Sequence, residues 1–121
     1  MLCLHMEVFS MEELDPLVAE YQKTIPQKLD ALKKCIQLLV SQPNKETLEA
    51  FRAVVHKLAG NSGTYGYLTV SKFCKQLELD AKSRIDNIAQ LLPEKEWLES
   101  LQITFSQIEK AFSKPDLNIR F

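Results

Sequence analysis

The chain has 121 residues, 45% of them apolar and 26% charged, with a formal net charge of −1, which suits one soluble domain with one core. No run of eighteen apolar residues is present to cross a bilayer. A pI near 6.1 supplies no basic field of the kind that draws a phosphate backbone, which argues against nucleic acid as a partner.

The start, MLCLHMEVF, lacks the basic flank and long apolar stretch of a signal peptide, so a cytoplasmic location is expected. Residues 1–9 read as an N-terminal tail. A first helical stripe follows on Leu14, Leu17, Val18, Tyr21, Ile25, Leu29, Leu32, Ile36 and Leu39, with Ser10 and Glu13 spaced as a capping box. Pro26 interrupts it, and the ring's clash with the carbonyl four residues back predicts two pieces rather than one helix. In SQPNKE, residues 41–46, Pro43 biases Gln42 away from helix and Asn44 is placed to cap the next one.

The spacing predicts a second helix over about 45–62. A third spans about 68–91 on Val70, Phe73, Cys74, Leu77, Ala81, Ile85 and Ile88. A fourth, opened by Pro93, buries Trp97, Leu98, Leu101, Phe105, Ile108 and Phe112, and SKPDLNIRF closes the chain, with residues 114–121 as a C-terminal tail. No stretch alternates in the strand manner. The expected fold is therefore all-α, an up-down-up-down four-helix bundle over residues 10–113 with an additional N-terminal helical segment. Leu79, Ile103 and Tyr67 fall off the inferred core arcs and form a candidate exposed patch. The cysteines, Cys3, Cys35 and Cys74, lack paired metal-type spacing, and the last two fall on apolar faces, as buried free thiols do.

Residues 55–67, VHKLAGNSGTYGY, place one of two histidines on the second helix and all three glycines behind it. At ~100° per residue, Leu48, Phe51, Val54, Val55 and Leu58 share one arc, and His56 lies roughly 140° from its centre. A lone histidine is commonly a core residue with a satisfied hydrogen bond; this phase instead turns the ring to solvent. Ala53, Ala59, Gly60 and Gly63 share its stripe, while Lys57 and Asn61 point elsewhere. Each interior glycine costs about 0.5–1 kcal/mol relative to alanine, a loss that close approach of another protein to the ring would explain. Gly66 reads as the helix terminator; Gly63 fits either role, and Gly60 fits the approach.

HKLAGNSGTYGY resembles the signature of histidine phosphotransfer (HPt) domains, matched at His56, Leu58, Gly60, Ser62 and Gly66, and GTYGY is similar to the version in chemotaxis kinases. The likeness in pattern runs from Leu14 to Phe112. It implies that His56 accepts and donates a phosphoryl group, which needs a neutral imidazole nitrogen. It further implies that Glu78 on the next helix bonds the inner ring nitrogen; the plain alternative is a solvated Glu78 paired with Lys82 at i+4. Many relatives carry a lysine at the position of Ala59. Arg52, Lys57 and Lys82 are the candidate replacements, each readable also as an ordinary surface charge.

GxxGxxG at Gly60, Gly63 and Gly66 matches neither a nucleotide loop nor a dinucleotide fingerprint, so the chain supplies a nucleophile and is not an enzyme by itself. The implied partners are a response-regulator receiver domain or a hybrid sensor kinase, with magnesium held by the receiver, no cofactor on this chain, and a monomer as the expected state. A metal-carboxylate bundle needs Glu-x-x-His motifs from facing helices, which the sequence lacks; His5 stands alone on the tail. The rival function is an HPt-like module that binds a receiver or kinase without phosphotransfer, a reading that Ala59 sustains.

Overall fold

The computed structural model describes the backbone of residues 2–87 and 93–113 and the side chains of 16–87 and 93–113. Four helices follow in order: α1 Leu2–Ser41, α2 Lys45–Thr64, α3 Leu68–Asp86 and α4 Lys95–Phe112. Contacts run α1–α2, α2–α3, α3–α4 and α4–α1, closing a ring of antiparallel neighbours, with α2 and α3 packed most intimately. This is the up-down-up-down bundle expected of four amphipathic helices joined by short turns.

Two expectations about α1 are corrected. The helix passes through Ser10, so Ser10 is no N-cap, and residues 2–9 are helical rather than a tail; the additional N-terminal segment is the first part of α1. Nor does Pro26 divide it, since both Pro16 and Pro26 lie inside one helix. Pro26 and Gln22, whose carbonyl loses its partner, are both exposed, so the orphaned acceptor faces water. Tyr21, Ile25, Leu29 and Leu32 meanwhile hold the adjoining face against the core.

Among the described side chains of α1, the first buried one is Tyr21. Leu17, placed on the apolar stripe by spacing, is 55% exposed, because the layer of Tyr21, Tyr65, Tyr67 and Phe112 rings closes that end of the bundle. Tyr67 belongs to this layer and is buried, contrary to its expected place on a surface patch. It precedes α3 and so escapes that helix's phase. Leu79 and Ile103 are exposed. The core proper is Leu32, Ile36 and Leu39 from α1; Leu48, Phe51, Val55 and Leu58 from α2; Val70, Cys74, Leu77 and Ala81 from α3; and Trp97, Leu98, Leu101, Ile108 and Phe112 from α4.

The ends of α2 are chemically defined. Asn44 accepts from the Thr47 amide at 2.9 Å while Thr47 Oγ1 accepts from the Asn44 amide at 3.1 Å, a reciprocal capping box. At the other end Gly66 adopts φ +91°, the Tyr67 amide bonds the Ser62 carbonyl and the Gly66 amide bonds that of Gly63. This is a Schellman turn, whose left-handed residue glycine accommodates without strain. The expected ends at Ser62 for α2 and Leu91 for α3 become Thr64 and Asp86. The side chains of Leu14, Cys3 and His5, together with Ile88, Leu91 and the tail 114–121, lie outside the described residues.

Candidate functional site

The α2 face opposite Phe51 and Leu58 carries His56, whose side chain is 72% exposed. Glu78 stands at the border of the buried face of α3, beside Leu77, with its own side chain only 20% exposed. Its Oε2 lies 2.6 Å from His56 Nδ1. A carboxylate offers only acceptors, so Nδ1 carries the hydrogen and donates it, which in the neutral ring leaves the lone pair on Nε2. Among the described residues no hydrogen bond engages Nε2.

Arg52, one turn before His56, brings Nη2 to 4.0 Å from the same carboxylate oxygen. Glu78 therefore pairs across the interhelical groove, and not with Lys82 four residues on. Lys82 is exposed one turn past Glu78 on α3. Lys57 belongs to the other flank of α2, where with Gln27, Lys28, Ala31, Val54 and Leu58 it lines a cavity of about 330 Å³ against α1. The structure thus gathers Arg52, His56 and Glu78 and leaves Lys57 apart.

The small residues around His56 divide into two kinds. Ala53 is exposed, and a Cβ built on Gly60 meets nothing within 4 Å, so both border open space beside the ring. Ala59 does not belong with them: it is 4% exposed. Three residues along a helix rotate ~60° back while four rotate ~40° forward. From His56 the first step leads into the α2–α3 interface and the second out to solvent. Gly63 is corrected likewise, since the element that approaches it is α3: a Cβ there would lie 3.2 Å from Ser71 Oγ.

Ser71 is the residue that the sequence reading missed. It is buried, and its hydroxyl donates to the Ala59 carbonyl at 2.8 Å. A signal existed in its spacing, seven residues before Glu78 on one stripe of α3. Among the described residues, no group of three or more His, Cys, Asp or Glu side chains converges to hold a metal ion, and no helix is long and apolar enough to cross a membrane.

The site is thus an exposed imidazole held by one nitrogen, with no hydrogen bond from the described residues at the other, on the surface of an antiparallel helical bundle. The family model of the Hpt domain matches residues 16–111, and the chain belongs to the Hpt domain family. Hpt domains are phosphotransfer modules of two-component signalling, phosphocarriers that interact with receiver domains. No curated protein and no solved structure matches the chain.

Proposed function

We propose that this chain relays a phosphoryl group between Nε2 of His56 and the aspartate of a receiver domain, in a response regulator or a hybrid sensor kinase. The observation that carries the reading is the pairing of a 72% exposed imidazole with a 2.6 Å bond from its Nδ1 to Glu78. That bond selects the tautomer whose lone pair sits on the outer nitrogen.

In the transfer, Nε2 attacks phosphorus, the N–P bond forms as the acyl phosphate P–O bond breaks, and the aspartate leaves as a carboxylate. Positive charge then spreads over the ring while Nδ1 keeps its hydrogen. Glu78, already in place, stabilises that charge without reorganising. No proton has to leave for the forward step or return for the reverse, which suits a carrier. The receiver supplies magnesium and the groups that neutralise the phosphoryl oxygens; this chain acts as a monomer without a cofactor of its own, in the cytoplasm. Ala53 and Gly60 leave the approach to Nε2 clear of side-chain bulk. Arg52 brings its guanidinium to 4.0 Å from the Glu78 carboxylate, Lys82 stands one turn past Glu78 on α3, and Lys57 faces a different groove.

The test is to mix the chain with receiver domains phosphorylated on aspartate. Acid-labile, base-stable phosphate is expected on His56, and His56→Gln should abolish it with the helical circular dichroism unchanged. Receiver binding without labelling would instead establish the non-transferring module.

A further inference from the structure

Two contacts tie α2 to α3 on the site's flank: His56 with Glu78, and Gly63 with Ser71. Each helix places its two members seven residues apart, and the order is reversed between them, as antiparallel partners require. Seven residues are two helical turns, roughly 10 Å. The two contacts are therefore successive rungs of one register.

The geometry points to Gly63 and Ser71 as positioning residues that set this register and so bring Glu78 to His56. At the lower rung a Cβ on residue 63 would sit tight against α3, with Ser71 Oγ 3.2 Å and Ser71 Cβ 3.5 Å away, so a larger side chain there pushes the helices apart. The contact is also fixed along the helix axes. Ser71 Oγ donates to the backbone carbonyl of Ala59 at 2.8 Å, so α3 is bonded to the main chain of α2 rather than to a mobile side chain. Both Ala59 and Ser71 are buried, where breaking the bond leaves a donor unsatisfied.

A slide of one residue along this interface displaces α3 by about 1.5 Å, more than a 2.6 Å hydrogen bond tolerates. Separation at the lower rung acts in the same direction, because α3 moves as a rod. Gly60 has open space where Gly63 has Ser71, so the two glycines serve different ends: one clears a path for the partner, the other admits the chain's own helix.

The inference rests on the relay reading for its rate measurement alone, since the state of the His56 ring is read without a partner. The experiment uses the full chain labelled with ¹⁵N, recording the His56 ring nitrogens by long-range proton–nitrogen correlation, the melting temperature, and phosphoryl transfer from a receiver. Gly63→Val forces the rung apart. Expected are loss of the single Nδ1–H tautomer and a fall in transfer on the order of tenfold, as a displaced reacting group gives. Ser71→Ala, which removes the bond to the Ala59 carbonyl and keeps the Cβ at the close approach, should likewise weaken the tautomer preference and lower the rate.

A folded Gly63→Val with the wild-type ring signature overturns the proposal, and a folded Ser71→Ala with that signature removes Ser71 from it. Should Gly63→Val fail to fold, Gly63→Ala asks Ser71 to yield only a few tenths of an ångström; a weakened tautomer preference supports the register lock and an unchanged one overturns it. If the ring responds as described while the wild-type chain takes phosphate from no receiver, the relay reading falls and the positioning role stands.

Discussion

Glu78 Oε2 reaches across the α2–α3 groove to within 2.6 Å of His56 Nδ1, and the same oxygen is 4.0 Å from Arg52 Nη2. One carboxylate thus orients the ring and meets a cation at the border between core and solvent. Glu78→Ala should lower the rate of phosphoryl transfer by the worth of a charge-assisted hydrogen bond, about 1.5 kcal/mol, or on the order of tenfold. The melting temperature should change little, since Glu78 contributes no core volume. Single-turnover transfer from a phosphorylated receiver, with thermal melts on the same sample, reads both.

Gly60 offers a test in which stability and function part company. A Cβ there enters open space, so Gly60→Ala should stabilise α2 by about 0.5–1 kcal/mol. Gly60→Leu should keep the fold yet slow transfer, by placing bulk in the partner's path to Nε2. Chemical denaturation and transfer rates on the two variants provide the measurement.

Arg84 joins α3 to α4 by two contacts, its guanidinium over Trp97 at 4.1 Å and its donation to Glu94 Oε2 at 2.7 Å, and within α3 it donates to the Asp80 carbonyl at 2.9 Å. The hydrogen bond from Arg84 holds the Glu94 carboxyl below its ordinary 4.5. A carboxyl depressed in the folded state adds stability above its unfolded value, and that contribution is lost as pH falls through the folded one. Acidification from neutral to below 4.5 should therefore loosen this contact and red-shift the emission of Trp97, the chain's one tryptophan. Glu94→Gln should remove that transition from the fluorescence titration.

Phe51 is fully buried and meets Trp97 edge-on, with ring centroids 5.9 Å apart. Phe51→Ala empties the centre of the bundle and should cost about 3–5 kcal/mol. Because His56 faces the other way, the fraction of the variant that remains folded should still accept phosphate. Denaturant titration gives the loss, and labelling at low temperature checks the site.

Burial pushes the thiols of Cys35 and Cys74 up to about 12, so both stay protonated near neutral pH and are poor nucleophiles. Peptide mapping after brief iodoacetamide treatment should find both largely unmodified in the native chain and fully alkylated in denaturant.

Much of this architecture was legible in apolar spacing, because a helix that buries one face must repeat with its own period. The α2 arc of Leu48, Phe51, Val55 and Leu58, the cap at Asn44 and the stop at Gly66 all follow from local chemistry. Properties set by tertiary neighbours were not legible in this way. Pro26 reads as a break until the core contacts on the adjoining face of α1 are known. Ala59 and Gly60 are adjacent in sequence and alike in size, yet the arrival of α3 buries one and leaves the other open. Ser71 shares a stripe of α3 with Glu78, yet its hydroxyl acquires meaning only when the Ala59 carbonyl stands opposite. Tyr67 precedes its helix, where phase does not apply.

The helix that bears His56 is fastened at both extremities, by the Asn44–Thr47 box at one end and, toward the other, by the Tyr21 hydroxyl on Asn61 at 2.5 Å with the Tyr21 and Tyr65 rings stacked. If the chain relays phosphate as proposed, a rod braced in this manner presents its imidazole in working posture before any receiver arrives. Encounter then reduces to a search between rigid bodies, with no ordering entropy drawn from the affinity, and turnover depends on how briefly the two surfaces need to stay together.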